Sequence, residues 1–164
     1  MDFYPWIVVA HVVIVVVAFG AHGVSAFAMF SARREPDRAR LAAILDLSGT
    51  SLGLAGWGLL AAVLLGIVAA VMGGHFGRLW PWASIVVVVV IFAAMTPMGA
   101  GPMSEVRKAL GQRARGDKDG DPPRQPASDA ELAAAQARLR PEILGGIGLV
   151  GIVMLVWLME LKPF

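Results

Sequence analysis

Two histidines and an aspartate stand inside the most apolar parts of this chain. His11 and His22 lie in PWIVVAHVVIVVVAFGAHGVSAFAMF, and Asp46 lies in the apolar run that follows. An ionisable group costs at least ~2–3 kcal/mol to insert at the centre of a membrane span, so it faces protein or water and not hydrocarbon. The chemistry open to an imidazole and a carboxylate in such a place is proton transfer, ligand handling or cofactor ligation. Wound as a helix, His11, Val15, Ala18, His22, Ser25 and Met29 follow alternate steps of four and three and share one face. Asp46, Thr50, Gly53 and Trp57 share a face of the next run, with Gly49 and Gly53 as a GxxxG pair beside it. Folding the two runs into a hairpin sets His22 about 12 Å and Asp46 about 8 Å from the ends of their spans, at 1.5 Å per residue. His22 is therefore expected to meet Asp46, with Ser25 and Thr50 beside them and His11 further along. Polar packing accounts for the same residues if Asp46 lies near the headgroups and His22 bonds a backbone carbonyl or a hydroxyl.

Cofactor chemistry finds little to build on. The chain has no Cys, which excludes zinc–thiolate and iron–sulfur sites. A haem held by two histidines needs one from each of two helices, whereas His11 and His22 share a helix and stand about 16 Å apart along it. His22 with Met95 or Met98 is the remaining haem pair, and Met29, Met95, Met98 and Met103 with His22 form no tight metal motif; methionine fills core gaps as well. Asp117, Asp119 and Asp121 mimic the start of a calcium loop, but Pro122 stands where glycine is required and Ser128 where a bidentate Glu belongs. No metal and no cofactor is expected.

The elements that carry these residues follow from composition. The chain has 164 residues, 57% hydrophobic and 16% charged, with a mean hydropathy of +0.70. A soluble domain carries ~25% charged residues. Four apolar stretches, about 5–30, 41–72, 81–100 and 143–161, reach the ~20 residues that a spanning helix needs. Runs such as IVVVVVIF show no alternation, which argues against a barrel, and in lipid the backbone must satisfy itself, so helix prevails. Twelve of the fourteen Lys and Arg fall in two connections, 31–40 and 104–140. The positive-inside rule makes that side cytoplasmic and puts both termini outside. Tyr4, Trp6, Trp80, Trp82, Trp157 and Phe164 map to the outer interface as an aromatic belt. Ala26-Phe27-Ala28 resembles a signal cleavage tripeptide, but Met1-Asp2-Phe3 has no basic residue and Arg33-Arg34 follow the run, so the first span is expected to stay.

The expected fold is all-α: one membrane domain over 1–164, four transmembrane helices in an antiparallel bundle. The loop 104–140 is its soluble part. Ser104 is expected to cap a short extension over 105–115, residues 116–127 to form a flexible linker, and Ser128 with Glu131 to make a capping box. Thr96-Pro97 and GAGP are expected to kink the third span, and Pro141 to open the last, with Glu142 at its N-terminus. The basic residues flank spans, which excludes a nucleic-acid partner.

His11 early in the first span, followed by Phe19-Gly20, resembles the copper-resistance D-like group. The whole pattern resembles small four-span bacterial inner-membrane proteins of unknown function. The resemblance implies a multi-pass protein of a bacterial cytoplasmic membrane. No catalytic motif accompanies it. The expected function is a non-enzymatic accessory or scaffold subunit, packed in the lipid bilayer against itself or other membrane subunits. The alternative is a small transporter or a redox or proton carrier built on the His22 and Asp46 faces.

Overall fold

A computed structural model describes residues 3–114, 116–118, 122 and 124–164. Arg115 of the basic loop, Asp119 and Asp121 of the calcium-like run, and Met1-Asp2 lie outside the described residues, as do parts of the linker 116–127. The described residues contain helices and no strand. The order is α1 (Tyr4–Ala32), α2 (Arg38–Met72), a 3₁₀ turn (His75–Gly77), α3 (Trp80–Ala109), α4 (Asp129–Ala137) and α5 (Pro141–Leu161). Among the described residues four helices are long and apolar enough to cross a membrane. Each long helix turns large aliphatics outward: Val12, Val13 and Val16 on α1, Val86, Val89 and Val90 on α3, Val150, Val153 and Val156 on α5 are all exposed. Water would not leave so continuous an apolar surface uncovered, whereas hydrocarbon does.

The helices associate in two pairs, α1 along α2 and α3 along α5, with sparser contact between the pairs. Along the first pair residue numbers fall on one helix as they rise on the other. The Ser25 and Ser48 hydroxyls bond at 2.7 Å. A Cβ on Gly58 would stand 3.0 Å from the Ala18 Cβ, and one on Gly66 3.0 Å from the His11 ring. Small residues thus set the α1–α2 distance, as expected where no hydrophobic effect drives helices together. In the second pair the tip of Ile91 occupies the space that a side chain on Gly151 would fill.

The core gathers at the basic end. Leu41, Leu45, Val106 and Leu139 are fully buried there, with α4 closing over them through Leu132. Polar contacts fasten the same end. Gln136 of α4 donates from its amide nitrogen to the carbonyls of Ala32 (2.7 Å), an orphan at the end of α1, and Glu35 (2.8 Å) in the connection that follows. Arg38 reaches Asp129 at 2.7 Å, and Arg33 pairs with Glu142. The Ser128–Glu131 capping box forms as the sequence predicts, and α5 opens at Pro141. At the other end Tyr4 meets His75 at 3.3 Å, His75 and Trp80 rings lie 5.5 Å apart, and the Trp80 backbone N–H donates to the Phe164 carbonyl.

The third helix departs from expectation. No new helix starts at Ser104, because α3 runs unbroken through Pro97 and Pro102 to Ala109. The Thr96 hydroxyl donates to the Phe92 carbonyl at 2.7 Å beside Pro97, one of the ways an apolar setting tolerates a helix proline. The stop comes at Gly111, in the left-handed region at φ 78°. Gln112 N–H donates to the Arg107 carbonyl and Gly111 N–H to that of Lys108, the two bonds of a Schellman cap.

Candidate functional site

The Ser25 and Ser48 side chains are 3% and 0% exposed and form the polar seam of the α1–α2 pair. Ser48 also donates toward the Met103 sulfur at 3.9 Å, so the hydroxyls run as a chain from α1 through α2 to α3. His11, half-buried, bonds the Ala62 carbonyl through Nδ1 at 2.8 Å. A carbonyl only accepts, so Nδ1 carries the proton and the tautomer is fixed. Gly66 makes the room for this ring.

His22 and Asp46 do not form the expected pair. The Asp46 carboxylate accepts from Arg107 Nη1 at 2.8 Å. The same guanidinium donates to the Leu45 carbonyl at 2.6 Å and to Gln112 at 3.2 Å. The reason is register. The contacts Ser25–Ser48, Ala18–Gly58 and His11–Gly66 set opposite one another residues whose numbers total 73 to 77. His22 therefore faces the Leu52–Ala55 level, and Asp46 lies about 10 Å further toward the basic end, at 1.5 Å per residue. The complementary face expected on α2 is corrected too: Thr50, Gly53 and Trp57 are exposed, and Asp46, exposed as well, reaches Arg107 at the end of α3 and not α1. The Thr50 hydroxyl donates to the Asp46 carbonyl, four residues back on its own helix. Of the GxxxG pair, Gly49 gives passage to Arg107, whose Nη2 would stand 3.3 Å from a Cβ there, and Gly53 meets nothing.

The sequence passes over Arg107, Gly58, Gly66 and Gly148. Arg107 reads as a loop residue until α3 is carried past Ser104. The glycines carry a signal in their number, four of them within GGIGLVG of α5 alone, but not in the identity of their neighbours.

His22 turns into a cavity of about 380 Å³ between the two helix pairs, lined by α1, α2, α3 and α5. Met29, Met95 and Met103 line it as well. Its other polar side chains are occupied: Ser25 by Ser48 and Thr96 by its own helix. Among the described residues the His22 ring takes no hydrogen bond. A Cβ on Gly148 would stand 3.7 Å from His22 Nε2 and 3.8 Å from the Met95 methyl, so the α5 backbone leaves space beside that nitrogen. No group of three or more His, Cys, Asp or Glu able to hold a metal occurs among the described residues. A second hollow of about 520 Å³, on the side of α1 and α2, is lined by apolar residues and Ser31. Of these groups only the cavity at His22 joins a space between helices to a titratable side chain. No protein-family model matches this chain, nor does any curated protein or solved structure.

Proposed function

We propose that this chain is a multi-pass protein of a bacterial-type cytoplasmic membrane and serves there as a non-enzymatic accessory or scaffold subunit. Its four spans form an antiparallel bundle with both termini outside. The outward face of α2 supports the reading best. Thr50, Gly53 and Trp57 turn away from the other helices, and Trp57 is 74% exposed. A Cβ on Gly53 would meet nothing within 4 Å. Hydrocarbon gains nothing from a hydroxyl and a glycine on one face, whereas a spanning helix of another subunit, or of a second copy, can approach closely there. The small soluble part agrees: α4 and its flanks are used up in fastening the basic end.

A photoreactive side chain at Gly53 tests the role in native membranes, with one at Val90 on the aliphatic face of α3 as control. The expected outcome is a discrete protein adduct from position 53 and lipid adducts alone from position 90. Lipid adducts alone from both positions would end the scaffold reading. The rival, a small transporter or a redox or proton carrier, draws on the half-buried His22.

A further inference from the structure

We propose that the cavity between the α1–α2 and α3–α5 pairs binds a membrane-soluble, uncharged molecule with an apolar body and one hydroxyl group, which His22 Nε2 meets beside Gly148. The inference stands apart from the scaffold role. Every Ser and Thr of the lining has its partner, and among the described residues no Asp, Glu, Lys or Arg lines the space. One hydrogen-bonding group is left over, the His22 ring. A charged ligand would lose its hydration with no counter-charge, at a cost of several kcal/mol or more. Water is a poor occupant, since each buried molecule needs about two to four polar partners. An apolar body suits the aliphatic and aromatic walls, and one oxygen suits one nitrogen.

A hydroxyl fits where other oxygens fit conditionally. A neutral imidazole Nε2 either donates or accepts, and a hydroxyl complements both states, whereas a carbonyl complements one. Gly148 supplies the seat. A methyl added there would lie in ordinary contact with Nε2 and the Met95 methyl, and so would fill the place of the ligand oxygen without forcing the helices apart. The size is suitable too: 380 Å³ falls within the roughly 300–1,000 Å³ of small-molecule sites. Entry is from the side. Leu52 of α2 and Phe92 of α3 line the cavity yet are 40% and 56% exposed, so the gap between these helices opens onto the apolar exterior.

The full chain in phosphatidylcholine nanodiscs tests this with three probes of one skeleton: farnesol, the saturated hydrocarbon farnesane, and farnesyl phosphate. Farnesol is expected to bind at one per chain and to move the ¹⁵N signals of the His22 ring, while farnesane leaves them in place. Gly148→Ala and His22→Phe are each expected to weaken farnesol about tenfold, the worth of one hydrogen bond, and to leave farnesane unchanged. Gly148→Ala should keep the unfolding temperature of the wild type, so it decides the question even if His22→Phe fails to fold. Equal affinity for farnesol and farnesane, wild-type binding by Gly148→Ala, equal or tighter binding of farnesyl phosphate, or no farnesol binding would each overturn the proposal. Adduct formation from Gly53 does not depend on any of these results, so the two proposals fail separately.

Discussion

Arg107 lies two residues before the end of α3 and does more than its charge suggests. Its guanidinium holds the Asp46 carboxylate, a backbone carbonyl of α2 and the Gln112 amide at once, and its side chain is 22% exposed against 66% for Asp46. An ion pair half open to solvent is worth at most about 1 kcal/mol by itself. The carbonyl bond adds to it, since a charged donor is worth about 1.5–3 kcal/mol. Unfolding in detergent should therefore show Arg107→Ala costing about 2 kcal/mol and coupling to Asp46→Ala by roughly 0.5–1 kcal/mol. His22→Ala and Asp46→Ala should add without coupling, to within about 0.5 kcal/mol; a coupling there as large as that of Arg107 with Asp46 would contradict the register. Ser48→Ala should cost about 1 kcal/mol, because it strands the Ser25 hydroxyl in the seam. The buried face of α1 was legible from spacing, with Ala18, Ser25 and Met29 all buried on it. Its partners were not. Periodicity ranks the faces of one helix, but the offset between two helices depends on where small residues allow contact, and an error of two turns moves a partner by about 10 Å.

Helix ends were legible where side chains or prolines make them and illegible where the backbone does. Ser128 and Glu131 write the start of α4 in two residues, and Pro141 writes the start of α5 in one. The end of α3 depends instead on Gly111 adopting a conformation that an L side chain resists, after two prolines that read as earlier stops. Prolines weigh less in an apolar setting, where the alternative to helix leaves carbonyls and N–H groups with no water to bond. Gly111 is thus expected to be intolerant. A Cβ there would stand 3.0 Å from the Arg124 carbonyl oxygen and 3.2 Å from Pro126, at φ 78°. Gly74 has a similar φ of 67° with open space around it. Both Gly→Ala changes incur the left-handed cost of about 1–2 kcal/mol, but only Gly111→Ala adds a tight contact with backbone. Thermal unfolding should fall further for Gly111→Ala than for Gly74→Ala, and equal losses would show that the turn over Pro126 yields freely.

At the scale of the whole molecule the two ends differ in kind. One gathers Tyr4, His75, Trp80, Lys162 and the Phe164 carbonyl, with the Lys162 ammonium 5.8 Å from the Trp80 ring centre. The other gathers Arg33, Arg38, Arg107 and the capped helix α4. Aromatic rings with a polar edge favour the headgroup level, and Arg and Lys resist translocation across the membrane. The first end is therefore expected to face outward and the second the cytoplasm. The chain contains no Cys, so a single introduced thiol reports its own position. Gly77 is the place for an outer probe, because a Cβ there meets nothing within 4 Å and the Tyr4–His75–Trp80 contacts stay intact. Lys118, in the connection between α3 and α4, is the place for an inner one. A membrane-impermeant maleimide added to intact cells should label Gly77→Cys and spare Lys118→Cys until the membrane is opened. Labelling of Lys118→Cys in intact cells, with Gly77→Cys protected, would reverse the orientation. It would leave the helix pairing and the His22 cavity as they stand, since both depend on contacts between helices and not on which side the basic end faces.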